Sequence, residues 1–193
     1  MQEINQILDF IVEIEKLKNV LRKSRPVGLE RYENSGEHSW HVCVSALMLK
    51  DYANSAINID RVIKMLLIHD LGEIDAGDKI VYASESAGHK LTEQNGMRRL
   101  LDMLPGDMST QYFELWEEFE AGITSDAKYA KAIDRVPPLL HNIHDNGYGW
   151  KENNISKEKV FGLNSTRISS GSTELWNAIE SKLEDAVEAG VLV

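Results

Sequence analysis

The sequence predicts an all-α protein, and three observations support this prediction. Apolar residues recur three and four residues apart in one segment after another, which is the spacing of amphipathic helices. No segment alternates apolar and polar residues over a sustained run rich in β-branched side chains, so we expect no sheet. Hydrophobic residues make up 42% and charged residues 27% of the 193, as in ordinary globular proteins.

The first part of the chain predicts three helices separated by loops. Pro26 and Gly28 indicate a loop after the first of them. Asp60 is suited to cap the third helix, which is followed by a glycine- and acid-rich connection from Gly72. The predicted elements are, in order, a helix at 4–22, a loop at 22–36, a helix at 37–53 and a helix at 60–72.

Further helices are predicted in the rest of the chain, at about 88–103, 107–121, 125–144 and 173–189. Gly190 stands where a helix C-cap glycine belongs. The polar stretch 145–158 is expected to form a surface loop or a lid. Because no repeat, low-complexity tract or strong linker interrupts the sequence, we expect a single domain over residues 1–193.

Pro137 and Pro138 lie inside the apolar helical segment 125–144. They lack the amide hydrogens that would bond the carbonyls of Ile133 and Asp134, so they predict a kink just after Asp134. The alternative is a helix that ends at this point, with a new helix beginning at Pro138.

Charge and composition narrow the functional class. The formal net charge of −10 disfavours a nucleic acid polymer as partner, because binding the phosphate backbone generally needs a basic surface. A small phosphorylated substrate stays compatible if a metal or a few arginines supply local positive charge. No apolar run approaches the ~20 residues that span a bilayer, and the N-terminal residues lack the basic cluster of a signal peptide. With a single cysteine, Cys43, these features predict a cytoplasmic protein without membrane segments.

His69 and Asp70 form a polar pair at the end of an apolar run. Burying an imidazole and a carboxylate is costly unless a cation compensates them. Adjacent helical residues point about 100° apart, so both side chains can reach a metal ion between them. The alternative is a buried histidine that is hydrogen-bonded to its neighbours at a helix end.

His38 and Asp134 supply the residue types that would complete a metal site, and each lies on a separate predicted helix. With His69 and Asp70 they make a mixed nitrogen and oxygen donor set. Such a set suits Mn, Co, Fe, Ni or Zn better than Ca, and it can leave positions open for water and substrate. His41, three residues after His38, is the rival first ligand because it shares a helix face with it.

This ordered set resembles the HD-domain metal-dependent phosphohydrolases, which implies an HD-domain helical bundle. The context resembles the 5′-deoxynucleotidase branch, including the HD-domain-containing protein 2 group. The similarity covers roughly residues 20–145, which leaves 146–193 as a C-terminal helical extension. The segments that carry it are Glu37-His38-Ser39, His69-Asp70-Leu71-Gly72-Glu73, Ala76-Gly77-Asp78, Leu115-Trp116-Glu117-Glu118-Phe119-Glu120, Ala127-Lys128-Tyr129-Ala130-Lys131 and Asp134.

The resemblance implies which residues act. The metal ligands would be His38, His69, Asp70 and Asp134. Glu73 would be the catalytic carboxylate and Asp78 a second acid at the active site. Glu73 lies four residues after His69, hence one turn along and near the same face. The alternatives are a solvated helix-end acid for Glu73 and a turn or cap residue for Asp78.

The resemblance implies one divalent metal ion: some HD enzymes hold two metals with additional histidines between the His-Asp pair and the last aspartate, whereas here that interval contains only His89. Mn, Co, Zn, Ni, Fe and Mg are all candidates. The acidic run with Glu117, Glu118 and Glu120 is either an auxiliary metal site or, more commonly, a solvated helix face.

In the nucleotidases that this sequence resembles, an arginine and an aromatic residue upstream of the first histidine contact the nucleotide. We therefore expect a phosphate-binding residue upstream of His38. Among the basic residues there, Arg25 is the preferred candidate because of its fork of donors. A solvated loop cation is the alternative. Leu29 stands where an aromatic residue would be expected, so selectivity for deoxyribose is left open. The other basic residues in this stretch are Arg22, Lys23 and Arg31.

The sequence therefore predicts a metal-dependent 5′-nucleotidase that releases phosphate from deoxyribonucleoside 5′-monophosphates. The alternatives are a phosphohydrolase of another small phosphorylated metabolite and a non-catalytic scaffold that binds a metal or nucleotide. Apolar first and last helices, which can pair between chains, suggest a homodimer.

Overall fold

The computed structural model describes residues 1–83 and 87–193, and within these ranges it contains helices and no strand. The all-α prediction is confirmed. Two short 3₁₀ helices lie at Glu15–Asn19 and Lys50–Tyr52. The α-helices are α1 (Gln2–Ile14), α2 (Ser35–Leu49), α3 (Ile59–Ile68), α4 (Glu73–Ala76), α5 (Ala87–Leu101), α6 (Met108–Ala121), α7 (Ser125–Asp134), α8 (Val136–His144), α9 (Tyr148–Glu152), α10 (Lys157–Gly171) and α11 (Thr173–Glu188).

The two largest departures from the predicted helices lie at 4–22 and 125–144. The helix predicted over 4–22 ends as α1 at Ile14 and continues only as a 3₁₀ turn. The segment 125–144 is divided into α7 and α8 at Arg135, so the helix ends after Asp134 instead of kinking. The new helix begins at Val136, one residue before the prolines, because a proline in the first turn needs no amide hydrogen.

The prediction of a surface loop or lid at 145–158 is wrong. This stretch contains α9, where Trp150 is buried, and Ile155 is buried just beyond it. The next helix, α10, was not predicted at all, although it packs closely against α7. The segment 146–193 therefore contributes to the core around the preceding helices.

Local caps fix the starts of the helices that carry the candidate site. Asn34 caps α2 by accepting a hydrogen bond from the Glu37 amide, and the Glu37 side chain accepts one from the Asn34 amide. This reciprocal capping box sets the first turn of α2, which leads to His38. Asn58, rather than Asp60, caps α3.

The buried apolar residues form two clusters. The larger one includes Val42 of α2, Leu66 of α3 and residues near the C-terminus, and the smaller one includes Leu71 and Leu100. His69 and Asp70 lie in the chain between Leu66 and Leu71, so the polar pair sits where the two clusters meet. Apolar residues of α11 are buried in the chain's own core, which removes one of the two helix faces that suggested a homodimer. Among the described residues, no helix is long and apolar enough to cross a membrane.

Candidate metal centre

His38 comes one turn into α2 and is completely buried. Its Nε2 lies 2.8 Å from Oδ1 of Asp134, the last residue of α7. The prolines that follow Asp134 belong to α8, so the aspartate stands at the junction of two helices. His38 and Asp134, which lie on two separate helices, are thus close together, as the sequence predicted.

His69 follows the last residue of α3, and its ring is held from two sides. Nδ1 lies 2.8 Å from the Leu66 carbonyl, and since a carbonyl only accepts, Nδ1 is the nitrogen that donates. The Trp116 indole donates to the His69 carbonyl over 3.2 Å, and the Phe119 ring meets the imidazole edge-on. These contacts aim Nε2 of His69 at the carboxylates.

The four predicted metal ligands come together. One donor atom from each of His38, His69 and Asp134 lies within 4.8 Å of the others. Nε2 of His69 is 3.1 Å from Oδ1 of Asp70 and 3.5 Å from Oδ1 of Asp134. This Nε2 is buried and has no hydrogen-bond partner among the described residues. A buried ring nitrogen without a hydrogen-bond partner, facing two carboxylates, fits a divalent metal ion, which would take the place of the proton on that nitrogen.

The charges of this cluster also favour a cation. Burial opposes ionisation of Asp134, but the Arg135 guanidinium, the hydrogen bond from His38 and the nearby His69 imidazole hold its pKa well below the usual range. Burial alone would lower the pKa of His69, but the charges of Asp70 and Asp134 outweigh it and raise the pKa to about 9. The cluster therefore favours negative charge on Asp134 and positive charge at the His69 ring.

Glu73 is the first residue of α4, one turn beyond His69, and it is buried. The Ser35 hydroxyl donates a hydrogen bond to Oε2 of Glu73 over 2.7 Å. Burial and the nearby charge of Asp70 raise the pKa of Glu73 well above its usual value, against the opposing charge of Arg22. A carboxyl group with a raised pKa keeps its proton to higher pH than a free glutamate, which suits it to donate a proton.

Asp78 lies beside this carboxyl group, just after Gly77, whose φ of +76° turns the chain back toward the site. Burial raises the pKa of Asp78, and the charge of Arg22 opposes that rise. Its Oδ2 is buried without a hydrogen-bond partner in the described part of the chain. Asp78 therefore lines the cavity instead of capping a turn.

Arg22 is the central cation of the site, and the sequence did not single it out. Its backbone amide donates to the Glu33 carbonyl over 2.8 Å, which fixes the segment ahead of α2. Nη1 lies 2.6 Å from Oδ2 of Asp70 and 3.9 Å from Oδ1 of Asp78. Burial would lower the pKa of Arg22, but the surrounding acids raise it above its usual value.

Arg25, the predicted phosphate anchor, lies elsewhere. Its guanidinium stacks on the Tyr148 ring, 3.1 Å from the ring centre, and Nε lies 4.0 Å from a carboxylate oxygen of Asp145. It is not among the residues that line the cavity. The position of Arg25 therefore gives no support to a role in phosphate binding, whereas Arg22 and Arg135 both line the cavity.

The cavity above the cluster has a volume of about 450 Å³. The acids Asp70, Glu73, Asp78 and Asp134 line it. Cationic and aromatic side chains also line it, including Arg167 of the unpredicted helix α10. The residues from outside the acidic cluster that matter here are Arg22, Tyr82, His89, Lys131, Arg135, Trp150 and Arg167.

The acidic run on α6 is occupied by ion pairs. Glu118 pairs with Arg61, and Glu120 lies 3.4 Å from Nζ of Lys131. Glu117 is exposed. These contacts favour a solvated, ion-paired helix face over an auxiliary metal site. His41 also lies outside the His38 cluster, close to a different set of side chains.

Comparison with known proteins identifies relatives of this chain. A family model for the HD domain matches residues 14–176. The chain is similar to the 5′-deoxynucleotidase HDDC2 of Homo sapiens, with 30% identity over 138 residues that cover 69% of this chain and 65% of that protein. The Xenopus laevis protein of the same name is 32% identical over 139 residues, covering 69% and 66%. The match thus spans slightly less than two thirds of each relative's length.

One solved structure covers the whole chain. The structure of a "predicted metal-dependent phosphohydrolase" from Magnetospirillum magnetotacticum MS-1 superposes with a TM-score of 0.93 at 39% sequence identity, and all of both chains is covered. The C-terminal helices α10 and α11 are therefore included in this likeness.

Proposed function

Because the chain belongs to the HD domain family, we propose that it is a metal-dependent phosphohydrolase that releases phosphate from deoxyribonucleoside 5′-monophosphates. The observation that carries this proposal is the His38–His69–Asp134 cluster, of which His69 and Asp134 line one cavity together with the buried Glu73. The nucleotide substrate is supported by the similarity to nucleotidases at about 30% identity.

His38, His69, Asp70 and Asp134 are the residues that would hold the metal ion. Their assignment is supported by the distances among them and by the buried, unpartnered Nε2 of His69. When bound, a divalent metal supplies Lewis acidity toward phosphoryl oxygens and lowers the pKa of water. Two imidazole and two carboxylate ligands are compatible with Mn, Co, Fe, Ni or Zn.

Glu73 is proposed to move the proton. The raised pKa of its carboxyl group makes it better suited than a free glutamate to donate the proton that the departing nucleoside oxygen needs. The hydrogen bond from Ser35 to Oε2 fixes the orientation of this carboxyl group relative to the metal ligands. Asp78 adds a second acid beside it, whose negative charge helps to keep Glu73 protonated.

Arg22 and Arg135 are proposed to bind the phosphate. Both guanidinium groups are largely buried and line the cavity next to the metal ligands. An arginine offers a planar fork of donors that matches phosphoryl oxygens. In the absence of substrate, Nη1 of Arg22 is held by Asp70, so phosphate competes with a carboxylate for the same donor.

The nucleoside is proposed to lie in the outer part of the cavity. A volume of about 450 Å³ is within the range of small-molecule sites. Tyr82 and Trp150 line this part and offer aromatic surfaces to a base. Contacts between the base or sugar and the side chains of this part of the cavity would determine selectivity.

The experiment that tests the function is phosphate release by metal-stripped protein after addition of Mn, Co, Mg or Zn. We expect release from deoxyribonucleoside 5′-monophosphates that depends on the added metal. The ribonucleotides measure sugar selectivity, and glucose 6-phosphate serves as a non-nucleotide control. Equal release from the sugar phosphate would instead favour a hydrolase of another metabolite. Nucleotide binding by calorimetry without turnover with any metal would indicate a non-catalytic scaffold.

Pairing of two chains through α1 is a further part of the proposal. Ile4, Leu8 and Ile11 are apolar and about half exposed or more, at 59%, 52% and 50%. Analytical ultracentrifugation of the wild type and of Leu8→Glu measures this directly. We expect a dimer that Leu8→Glu dissociates, and a wild type that is monomeric at tens of micromolar would contradict it.

A further inference from the structure

A second group of metal-ligating side chains lies beside the proposed metal centre. One ligand atom from each of Glu33, His41 and His141 lies within 4.8 Å of the other two. The three residues come from three elements: the segment ahead of α2, α2 itself and α8. None of them is a ligand or proton carrier of the proposed reaction.

Glu33 is the buried member that most needs a partner. The residue is 2% exposed, and its Oε2 has no hydrogen-bond partner within residues 1–83 and 87–193. The neighbouring nitrogens are 3.6 Å away on His38, 3.7 Å on Arg22 and 3.8 Å on His141. Arg22 directs its close contact to Asp70, at 2.6 Å. A buried carboxylate oxygen without close contacts is costly unless a cation compensates it.

The two histidines are arranged on one side of Glu33. Their ring centres are 5.6 Å apart and the rings are tilted by 34°. Nδ1 of His141 lies 3.8 Å from Oε2 of Glu33 and 3.4 Å from Oγ of Ser24. His141 is buried, whereas His41 is partly exposed and gives an ion a route from solvent.

We propose that Glu33, His41 and His141 bind a second divalent transition-metal ion of the zinc class. Two imidazoles and one carboxylate form a donor set that Zn²⁺ uses with a fourth position left to water. Magnesium, which prefers oxygen ligands in an octahedral arrangement, does not suit this set. The ion ties the segment that carries Arg22 to α8, so its role is to fix the wall of the active-site cavity.

The competing explanation gives Glu33 another role. Its Oε2 faces Nδ1 of His38 at 3.6 Å, and a carboxylate in that position orients a metal-binding histidine. In that case His41 and His141 contribute no ligand, and their removal leaves the number of bound ions unchanged. Counting metal ions therefore separates the two explanations.

The test is equilibrium dialysis of the full chain against Zn²⁺, with the bound metal measured by mass spectrometry. We expect two ions per chain for the wild type and one for His41→Ala. His144→Ala is the matched control, because this exposed histidine lies on α8 three residues after His141, and it should keep two ions. One ion in the wild type, or two in His41→Ala, would overturn the proposal.

Three further variants distinguish loss of a ligand from an indirect effect on folding. His141→Ala removes a ligand from a different helix and should lose the same single ion, with the helical circular dichroism spectrum unchanged. Asp70→Ala removes a ligand of the first centre and should retain one ion, while Asp70→Ala combined with His41→Ala should retain none. If the double variant still binds one ion, the second site is not built from these residues. Because metal is counted without substrate, failure of the nucleotidase proposal leaves this test intact.

Discussion

The Ser35 hydroxyl donates a hydrogen bond to Oε2 of Glu73 over 2.7 Å, and this bond joins the start of α2 to the start of α4. His38 lies one turn after Ser35, and Glu73 lies one turn after His69. The contact therefore keeps the two histidine-bearing segments in register with the carboxyl group that is proposed to move the proton.

Ser35→Ala removes this hydrogen bond while it leaves every metal ligand in place. A hydrogen bond to a carboxyl group contributes on the order of 1.5 kcal/mol, which corresponds to about tenfold in rate. We expect kcat for phosphate release to fall about tenfold with little change in KM, because Ser35 orients Glu73 and does not contact the substrate. Steady-state kinetics at saturating metal measure both constants.

Ser45→Ala is the matched control for this substitution. Ser45 also lies on α2. Its hydroxyl donates to the His41 carbonyl one turn back and not to Glu73. We expect its kinetic constants to equal those of the wild type. The positioning role of Ser35 is wrong if its substitution changes KM alone, or if the Ser45 variant shows the same loss of kcat.

Arg22→Lys tests which arginine binds the phosphate. Lysine keeps the charge but loses the planar fork, so we expect KM to rise roughly tenfold while the bound metal is retained. Arg25→Lys should leave KM unchanged, because Arg25 stacks on Tyr148 outside the cavity. A larger effect at Arg25 than at Arg22 would restore Arg25 as the phosphate anchor.

Gly171→Ala tests the contact that holds the unpredicted helix α10 against α7. A methyl group at Gly171 would lie 2.4 Å from the Lys128 carbonyl oxygen and 2.7 Å from Cβ of Ala132. Backbone must move to relieve this overlap, so we expect the free energy of unfolding to fall by about 2 kcal/mol or more. Urea denaturation measures this change.

Gly162→Ala, on the same helix, is expected to change the free energy of unfolding in the opposite direction. A methyl group there meets no atom within 4 Å, and Gly162 is exposed inside α10. Alanine is the better helix former by about 1 kcal/mol, so this variant should be slightly more stable than the wild type. If both alanine variants shift stability alike, α7 and α10 do not pack as closely as described.

These glycines show why part of the fold escaped prediction from the sequence. The stretch that forms α10 is rich in serine and glycine and has few apolar residues, so its periodicity is weak. Its stability comes from close backbone packing on α7, which no local pattern reports. The helices with clear apolar stripes were predicted as helices: α11 has nearly the expected bounds, and α3 ends four residues earlier than expected.

The residues of the candidate site likewise fall into two groups: those that the sequence indicates and those that only the tertiary structure reveals. His38, His69, Asp70 and Asp134 could be predicted as metal ligands because their residue types and order carry a signal of their own. The roles of Arg22 and Ser35 depend on distances of 2.6 Å to Asp70 and 2.7 Å to Glu73, between residues far apart in the sequence. Several arginines and serines lie in the same stretch, and only tertiary structure distinguishes among them.

Cys43, one turn beyond His38 on α2, reports on the packing of that helix. Burial raises the pKa of its thiol to about 11, while a free thiol has a pKa near 8.5. Only the thiolate reacts with iodoacetamide, so at pH 8.5 we expect alkylation of the folded protein to be about a hundredfold slower than in urea. The raised pKa also means that this cysteine stabilises the fold below about pH 8.5 and loses that contribution as the pH rises toward 11. Equal alkylation rates in the two conditions would show that α2 does not bury Cys43.

The most direct test of the central claim compares metal content with phosphate release in Asp70→Ala and Glu73→Gln. Both variants are measured with the same deoxyribonucleoside 5′-monophosphate and the same added metal as the wild type. We expect Asp70→Ala to lose the ion of the first centre together with activity, because Asp70 is a ligand. Glu73→Gln should keep that ion and lose phosphate release by at least a hundredfold, because the amide cannot transfer the proton. Loss of the ion in both variants, or normal turnover in Glu73→Gln, would contradict the roles assigned to these two residues.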